Sequence, residues 1–143
     1  MQKPELFWAY LAGLFDGEGH VGLYKRRRKD VKRGYTWAFV SSIINNDKAL
    51  IDSLHQDLGT GYIMTETRPN VNHSDSYKLA FSKGDLKQIL PKILPYLRSK
   101  KRQVELIIEA IPVRSDRERI YRELRELQPT TSSRGRPKKN AYP

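Results

Sequence analysis

The sequence predicts an α+β fold in which two β-hairpins form one four-stranded antiparallel sheet with helices on one face. Three observations support this prediction. The apolar spacing indicates the element order α-β-β-α-β-β-α, followed by C-terminal helices. The length of 143 residues is enough for one domain with a hydrophobic core. Basic residues cluster in the first hairpin, so we expect the uncovered face of the sheet to carry positive charge.

The first half of the chain reads as a helix followed by a hairpin. Apolar residues at helical spacing predict a helix over residues 5–15, which Gly17 and Gly19 then end. Alternating apolar residues predict strands over 18–28 and 34–44, with a basic turn between them.

The second half repeats this pattern, with a helix over 47–58, strands over 61–67 and 76–82, and helices over 84–97, 99–111 and 115–127. Asn45, Asn46 and Asp47 are the candidate N-caps of the first of these helices. Pro91 and Pro95 predict a kink or two short pieces in the next one.

The charge balance favours a polyanionic partner. The chain has 27 Lys and Arg against 16 Asp and Glu, a net charge of +11. Nucleic acid is the first candidate and an anionic membrane surface the second. No apolar run approaches the roughly 20 residues of a membrane span, and no signal-peptide pattern begins the chain, so we expect no membrane partner. The absence of cysteine excludes disulfides and thiolate zinc sites, and the three histidines lack metal-ligand spacing.

The most informative segment is residues 11–19, LAGLFDGEG, which places two acids and three glycines in nine positions. Ala9, Ala12 and Gly13 give the predicted helix a face of small residues. Such a face lets another helix approach closely, either within one subunit or from a second copy of the chain. The acids Asp16 and Glu18 follow at the end of this helix, where they can reach a surface.

This segment resembles the signature of the LAGLIDADG homing endonucleases, with Phe15 and Glu18 as conservative replacements and Gly17 as a frequent variant. Residues 58–63 (LGTGYI) resemble the family's LGxGxI turn. Residues 94–103 (LPYLRSKKRQ) resemble the segment leading into its late helix. The resemblance spans about residues 5–112. It implies an αββαββα fold whose sheet forms a saddle in the DNA major groove. Because the motif occurs once, it also implies a homodimer.

The resemblance also implies a catalytic site. Glu18 matches the metal-binding carboxylate, and Gly17 matches the residue whose carbonyl also reaches metal. The expected cofactor is Mg²⁺, with Mn²⁺ as a substitute, because hard cations take oxygen ligands. Lys100 matches a basic active-site residue, and Asn45 fits a polar residue at the end of the second strand. The alternatives, should the registers differ, are Lys101 for the base and Asn46 or Asp47 for the polar residue.

The predicted interfaces use further residues. For the contact between subunits we expect Tyr10, Ala12, Gly13 and Asp16, although a structural role for Asp16 is an equal alternative. The outward rows of the hairpins are candidates for DNA contacts, because basic side chains bind phosphates and base edges and aromatic rings contact thymine methyl groups. They are Tyr24, Arg26, Arg28, Lys32, Tyr35 and Trp37 in the first hairpin, and Thr65, Thr67, Arg68, Asn70, Tyr77 and Lys78 in the second.

The sequence divides into an endonuclease-like domain over 1–127 and a basic tail over 128–143 that we expect to be disordered. In the tail, residues 134–139 (RGRPKK) resemble an AT-hook, which would insert Arg134 and Arg136 into an A·T-rich minor groove. A non-specific polybasic tail is an equal alternative.

The sequence therefore predicts a homodimeric, magnesium-dependent endonuclease that cuts double-stranded DNA at a long, partly palindromic site and is encoded within an intron. The alternative is an RNA maturase or a non-cleaving DNA-binding regulator with the same fold. A maturase would bind its own intron RNA, and this role is compatible with cleavage. The expected compartment is an organelle (chloroplast or mitochondrion) or the prokaryotic cytoplasm.

Overall fold

The computed structural model describes residues 3–67 and 75–127. These residues form α1 (Glu5–Glu18), β1 (Gly19–Arg27), β2 (Tyr35–Asn45), α2 (Lys48–Leu58), β3 (Tyr62–Glu66), β4 (Ser76–Phe81), α3 (Lys83–Ile93), α4 (Lys101–Ala110) and α5 (Arg117–Leu127). Short 3-10 helices at Leu94–Tyr96 and Arg114–Asp116 precede α4 and α5. The tail over 128–143, with Arg134 and Arg136, and the turn residues Arg68 and Asn70 lie outside the described residues.

The strands form a single antiparallel sheet in the order β1-β2-β4-β3. The two hairpins are therefore joined through β2 and β4, and β1 and β3 are the edges. This arrangement confirms the predicted αββαββα order and the four-stranded sheet. β1 pairs with β2 along its whole length, whereas β4 pairs with only the second half of β2, from Ser41 to Asn45.

The hydrophobic core lies between one face of the sheet and the helices. The odd-numbered strand residues Val21, Ile43 and Leu79 point into it and are almost fully buried. The helices contribute fully buried side chains such as Leu11, Phe15, Ile51, Leu90 and Ile107. Each such side chain stabilises the fold by about 1.5–3 kcal/mol through removal of apolar surface from water. The other face of the sheet carries the exposed side chains Tyr24, Val40, Tyr62 and Met64.

The first helix is longer than predicted, because it continues to Glu18. Gly19 ends it, and the Gly19 N–H still donates to the carbonyl of Phe15. A Cβ at Gly19 would lie 2.5 Å from the Phe15 ring, so only glycine fits this transition from helix to strand. Glu18 is therefore the last helical residue and directly precedes β1.

Local side chains set the other helix boundaries. Among the three candidate caps of α2, Asp47 is the N-cap, since its carboxylate accepts a hydrogen bond from the Leu50 N–H. A capping box between Ser82 and Asp85 begins α3. This helix runs through Pro91 and ends at Ile93, so the predicted break occurs at the 3-10 turn that contains Pro95. In the described part of the chain, every helix is too short or too polar to cross a bilayer.

Candidate active site

The exposed carboxylate of Glu18 lies at the end of α1 and is held from β2. The side-chain amide of Asn45, the last residue of β2, donates to Glu18 Oε1 at 2.8 Å. The Asn45 Oδ1 atom accepts from the Asp47 N–H, also at 2.8 Å, and this second bond fixes the direction of the amide. One carboxylate oxygen of Glu18 is thus oriented by protein. The other, Oε2, has no hydrogen-bond partner among the described residues.

Asp16 binds the turn that leads into α4. Its carboxylate accepts backbone N–H bonds from Arg98 at 2.8 Å, Ser99 at 3.1 Å and Lys100 at 3.0 Å. Burial disfavours the charged carboxylate, but these three donors and the Lys100 charge outweigh it and lower the pKa of Asp16. Of the two roles expected for Asp16, the structure supports the structural one.

The same contact brings Lys100 to the end of α1. The Lys100 Nζ donates to the backbone carbonyl of Asp16 at 2.7 Å. Its positive charge is also felt at His20, the second residue of β1. Burial is the main cause of the lowered pKa of His20, and the charges of Lys100 and Lys78 add to it. Lys100 rather than the exposed Lys101 therefore contacts the motif helix.

Beside this site, the outward face of β1 carries an ordered pair of rings. The rings of His20 and Tyr24 stack with their centroids 6.0 Å apart, and the Tyr24 hydroxyl is 3.0 Å from His20 Nε2. Between them lies Gly22, where an added Cβ would be 2.7 Å from the Tyr24 ring. His20 was not among the predicted site residues. Its position two residues before Gly22 and four before Tyr24 on one predicted strand was the signal that could have placed it on the same face as Tyr24.

The first hairpin presents only part of the predicted DNA-contact row on the open face. Tyr24 and Arg26 lie on that face, and Arg28 and Lys32 are exposed towards the turn, where Arg28 is paired with Asp30.

Tyr35 and Trp37 require a correction, because the register places them on the opposite, helix-covered face. There the Tyr35 hydroxyl donates to Glu118, and the Trp37 ring packs against Tyr121 of α5. β2 begins one residue later than predicted, but this is not the cause of the error. The register pairs even-numbered residues of β1 with even-numbered residues of β2, so the odd-numbered Tyr35 and Trp37 do not share a face with Tyr24 and Arg26.

The second hairpin is divided in the same way. Lys78 shares the open face and forms an ion pair with Glu66 at 2.9 Å. Thr65 and Tyr77 are register partners on the other face, and we correct their placement too, although Thr65 is exposed at the sheet edge. Thr67 is exposed beyond β3. Sequence reasoning missed the exposed apolar side chains of the open face, which are Val40, Tyr62 and Met64.

The surface of α1 that could meet a second copy is a stripe of four residues, Leu6, Tyr10, Gly13 and Gly17. Leu6 is 82% and Tyr10 55% exposed, and an added Cβ at either glycine would meet nothing within 4 Å. Tyr10 and Gly13 were predicted here. Ala12 was also predicted, but it is completely buried in the core of its own subunit and cannot contact a partner. Asp16 is partly exposed and binds the turn before α4, so its contact with a second copy stays a prediction.

The residues at the end of α1 fit part of a site for a hard cation. Mg²⁺ takes about six oxygen ligands and keeps several waters. Here one subunit offers the Glu18 carboxylate and the nearby Gly17 carbonyl. Within residues 3–67 and 75–127, no group of three or more acidic or histidine side chains could hold a metal ion. A metal at Glu18 therefore needs further oxygen ligands from water, a phosphate or a second subunit.

Comparison with known proteins agrees with this geometry. The sequence model described as LAGLIDADG endonuclease matches residues 11–109, which include the second half of α1, the whole sheet and most of α4. No curated protein sequence matches the chain.

Several solved structures share the fold. The archaeal intron-encoded homing endonuclease I-Vdi141I, complexed with DNA, is 20% identical with a TM-score of 0.70, covering 98% of this chain and 92% of its own. The homing endonuclease I-CvuI, in complex with its target, is 21% identical with a TM-score of 0.68, covering 86% and 82%. The meganuclease I-SmaMI, bound to uncleaveable DNA, is 21% identical with a TM-score of 0.65, covering 90% of this chain but 45% of its own. With its motif, sheet and site in this arrangement, the chain belongs to the LAGLIDADG endonuclease family.

Proposed function

We propose that the protein is a site-specific DNA endonuclease that works as a homodimer and depends on Mg²⁺. The observation that carries this proposal is that the last turn of α1 binds both Asn45, through the Glu18 carboxylate, and Lys100, through the Asp16 carbonyl. This end adjoins the open face of a strongly basic sheet. Elements that are far apart in sequence thus supply a carboxylate, its orienting amide and a cation to one place.

Each of these residues has a distinct role in phosphodiester hydrolysis. Glu18, with the carbonyl of Gly17, would hold the metal, which when bound polarises the phosphate and activates water. Asn45 orients the Glu18 carboxylate through the bond to Oε1. The Lys100 ammonium places a positive charge beside the site, where it stabilises negative charge that develops on the phosphate. The Asp16 carbonyl holds this ammonium in place.

The homodimer follows from the number of carboxylates. One subunit supplies one Glu18, whereas cutting both strands requires two reactions. The exposed stripe on α1 offers a surface for a second copy, which would bring two Glu18 side chains towards each other. The chain covers most of I-Vdi141I and I-CvuI but less than half of I-SmaMI, as expected for a protein that forms one half of a two-part site. A symmetric dimer favours related half-sites, so we expect the DNA site to be partly palindromic.

The open face of the sheet would read the DNA. Arg26 can bind guanine or phosphate, and the exposed Val40 and Met64 can contact thymine methyl groups. We further propose, from the sequence, that the gene lies in an intron and that Arg134 and Arg136 of the tail add salt-sensitive affinity.

The first experiment is to select DNA sites from a randomised library and assay their cleavage with Mg²⁺, Mn²⁺ or EDTA. Wild type should cut both strands with either metal and not with EDTA. Glu18→Gln should bind the same site without cutting it, whereas Asp57→Asn, a change to an exposed carboxylate of α2, should cut like wild type. Tight binding of DNA or of intron RNA without any cutting by wild type would contradict the nuclease and support a regulator or a maturase.

A further inference from the structure

The outer part of the first hairpin projects beyond the rest of the sheet. β4 pairs with β2 only from Ser41 onwards, so residues 23–27 of β1 and 35–39 of β2 pair only with each other. A two-stranded ribbon of this kind is marginally stable in water, and its twist varies more than that of a wider sheet. Something other than strand pairing must therefore hold this segment in one orientation.

Lys25 provides the attachment point. Its Nζ forms an ion pair with Glu118 of α5 at 3.1 Å. The same atom lies 4.7 Å from the ring centre of Tyr35, 5.6 Å from that of Trp37 and 5.0 Å from that of Tyr121. One ammonium thus lies beside a carboxylate and three aromatic rings. The ion pair is partly exposed, so each contact contributes little by itself, and it is their number that favours one position of Lys25. We refer to these four surrounding residues as the Lys25 socket.

The Lys25 socket joins the two strands of the ribbon to α5. Tyr35 and Trp37 belong to β2, and Glu118 and Tyr121 belong to α5. The socket is also bound together internally, because the Tyr35 hydroxyl donates to Glu118 at 3.2 Å and the Trp37 and Tyr121 rings lie 5.5 Å apart. The helix lies beyond residue 109, where the match to the family ends.

The residues on either side of Lys25 point the other way. Successive residues of a strand face opposite sides, so Tyr24 and Arg26 lie on the open face, directly across the ribbon from the socket. Any rotation of the ribbon on α5 would displace these two side chains. A displacement of about 1 Å is enough to weaken a two-bond contact to a base.

We propose that Lys25 is a positioning residue whose docking into the socket fixes the ribbon, and thereby the discrimination among DNA bases that the ribbon contacts. This inference rests on the proposed function. It assigns α5 a part in sequence recognition that requires no contact between α5 and the DNA. Loss of the socket should relax specificity while the catalytic centre at Glu18 remains intact.

The test compares Lys25→Met, which keeps the length and removes the charge, with Lys25→Arg, which keeps a cation able to stack and to pair with Glu118. Lys87→Met, at an exposed lysine of α3, is the matched control. The first readout is hydrogen exchange of the backbone amides in free protein. We expect faster exchange over residues 23–27 and 35–39 in Lys25→Met alone, with the other strands unchanged.

The second readout is cleavage of the selected site and of every singly substituted version of it. We define the base pairs contacted by the ribbon as those at which Arg26→Ala no longer prefers the cognate base to a substituted one. At these positions Lys25→Met should reduce the ratio of cognate to substituted cleavage about tenfold, within the range of one good base contact. Elsewhere the ratios should match wild type, and Lys25→Arg should restore them.

Unchanged ratios, or a uniform loss at all positions, would overturn the proposal. If hydrogen exchange over residues 23–27 and 35–39 is the same in Lys25→Met as in wild type, Lys25 does not hold the ribbon in place. This result needs no DNA-binding measurement. If wild type binds and cuts no DNA, the proposed function fails and the assignment to recognition fails with it, while the exchange data still decide whether the socket braces the ribbon.

Discussion

Single side-chain contacts determine the geometry around Glu18. Its carboxylate stands at an exposed helix end, where an unrestrained side chain would populate several rotamers. The amide of Asn45 removes this freedom, and the Asp47 N–H in turn fixes the amide. A carboxylate that is oriented before metal arrives binds it with less loss of conformational freedom.

Replacing Asn45 should therefore impair catalysis more than DNA binding. Partners that orient a metal ligand contribute about 10–100-fold to metal affinity or activity, so Asn45→Ala should lower the cleavage rate by about that factor at limiting Mg²⁺. Titration of the rate with Mg²⁺ measures the effect, and Asn46→Ala, at the exposed neighbour, is the control. Equal losses in the two variants would argue against an orienting role for Asn45.

Asp16 should make the free energy of unfolding depend on pH in the acid range. Because its pKa is lowered in the folded protein, its stabilising effect is present above the ordinary pKa of aspartate and is lost as the pH falls below about 4. Asp16→Asn should reduce the free energy of unfolding by about 1–2 kcal/mol at pH 7, because a neutral amide replaces a charged acceptor of backbone hydrogen bonds. The difference from wild type should shrink as the pH falls.

Urea unfolding of both proteins from pH 7 to pH 3 measures this difference, and Asp57→Asn serves as the control. A difference that stays constant over this range would show that the ionised form of Asp16 is not what stabilises the start of α4.

At the scale of elements, α1 uses opposite faces for different purposes. Leu11, Ala12 and Phe15 are buried in the core, whereas Leu6, Tyr10, Gly13 and Gly17 form the exposed stripe. A glycine inside a helix costs roughly 1 kcal/mol relative to alanine, and an added Cβ at Gly13 has open space in the single subunit. The subunit by itself therefore gives no packing reason for glycine at this position.

A large side chain at Gly13 should accordingly prevent dimerisation while the single chain still folds. Gly13→Lys should keep or raise the melting temperature of the monomer, because lysine favours the helix, but it should prevent close approach of a second α1. Sedimentation velocity over a range of concentrations should show a monomer for Gly13→Lys and a dimer for wild type. Gly84→Lys, at the exposed start of α3, should dimerise like wild type, and a dimeric Gly13→Lys would exclude this stripe as the interface.

The order of the helices and strands could be predicted from sequence. The side of the sheet on which some strand residues lie could not. Apolar periodicity is a local property, and it correctly indicated each helix and strand of the described chain. Which side of β2 a residue occupies depends on register, and a shift of one position reverses it. Tyr35 and Trp37 looked like groove-facing aromatics until the structure placed α5 against them. Likewise, the backbone donors that hold Asp16 are more than eighty residues away in sequence.

At the scale of the whole molecule, the excess positive charge is concentrated in the first hairpin and in the basic tail over 128–143. In the described part of the chain, no carboxylate lies within ion-pair distance of Arg26 or Lys32, whereas Arg102 of α4 and Arg119 of α5 are paired with glutamates. Charges already paired within the protein contribute little to phosphate binding. Among the described residues, the first hairpin should therefore contribute most to the salt dependence of DNA affinity, in addition to the basic tail.

The salt dependence of binding tests this distribution. Each phosphate contact contributes about 0.9 to the slope of log K against log salt, so Arg26→Ala with Lys32→Ala should reduce the slope by about 1–2. Fluorescence anisotropy at several salt concentrations gives the slope, with Lys87→Ala as the control. A slope that stays at the wild-type value would show that the hairpin does not contact phosphates.

Glu18 and Lys100 could be proposed from sequence because they fall within recognisable motifs, and Lys100 Nζ binds the carbonyl of Asp16 near Glu18 in the chain. Their catalytic roles stay predictions. The hydrogen bond from Asn45 to Glu18 gives a geometric reason to prefer Asn45 over Asn46 and Asp47. His20 and the Lys25 socket were missed, because each depends on side chains that come together only after the strands and α5 have packed.

The stacked pair on β1 has a consequence for changing which DNA the protein recognises. Gly22 lies in the middle of the outward row, and a Cβ there would come within 2.7 Å of the outer atoms of the Tyr24 ring. A side chain at Gly22 therefore requires the Tyr24 ring to move away from its stack on His20. Substitution of Gly22 should displace both rings, so these three positions should change together when the protein acquires a new target. Libraries that randomise Gly22 with His20 and Tyr24 should yield more new specificities than libraries that randomise Gly22 alone.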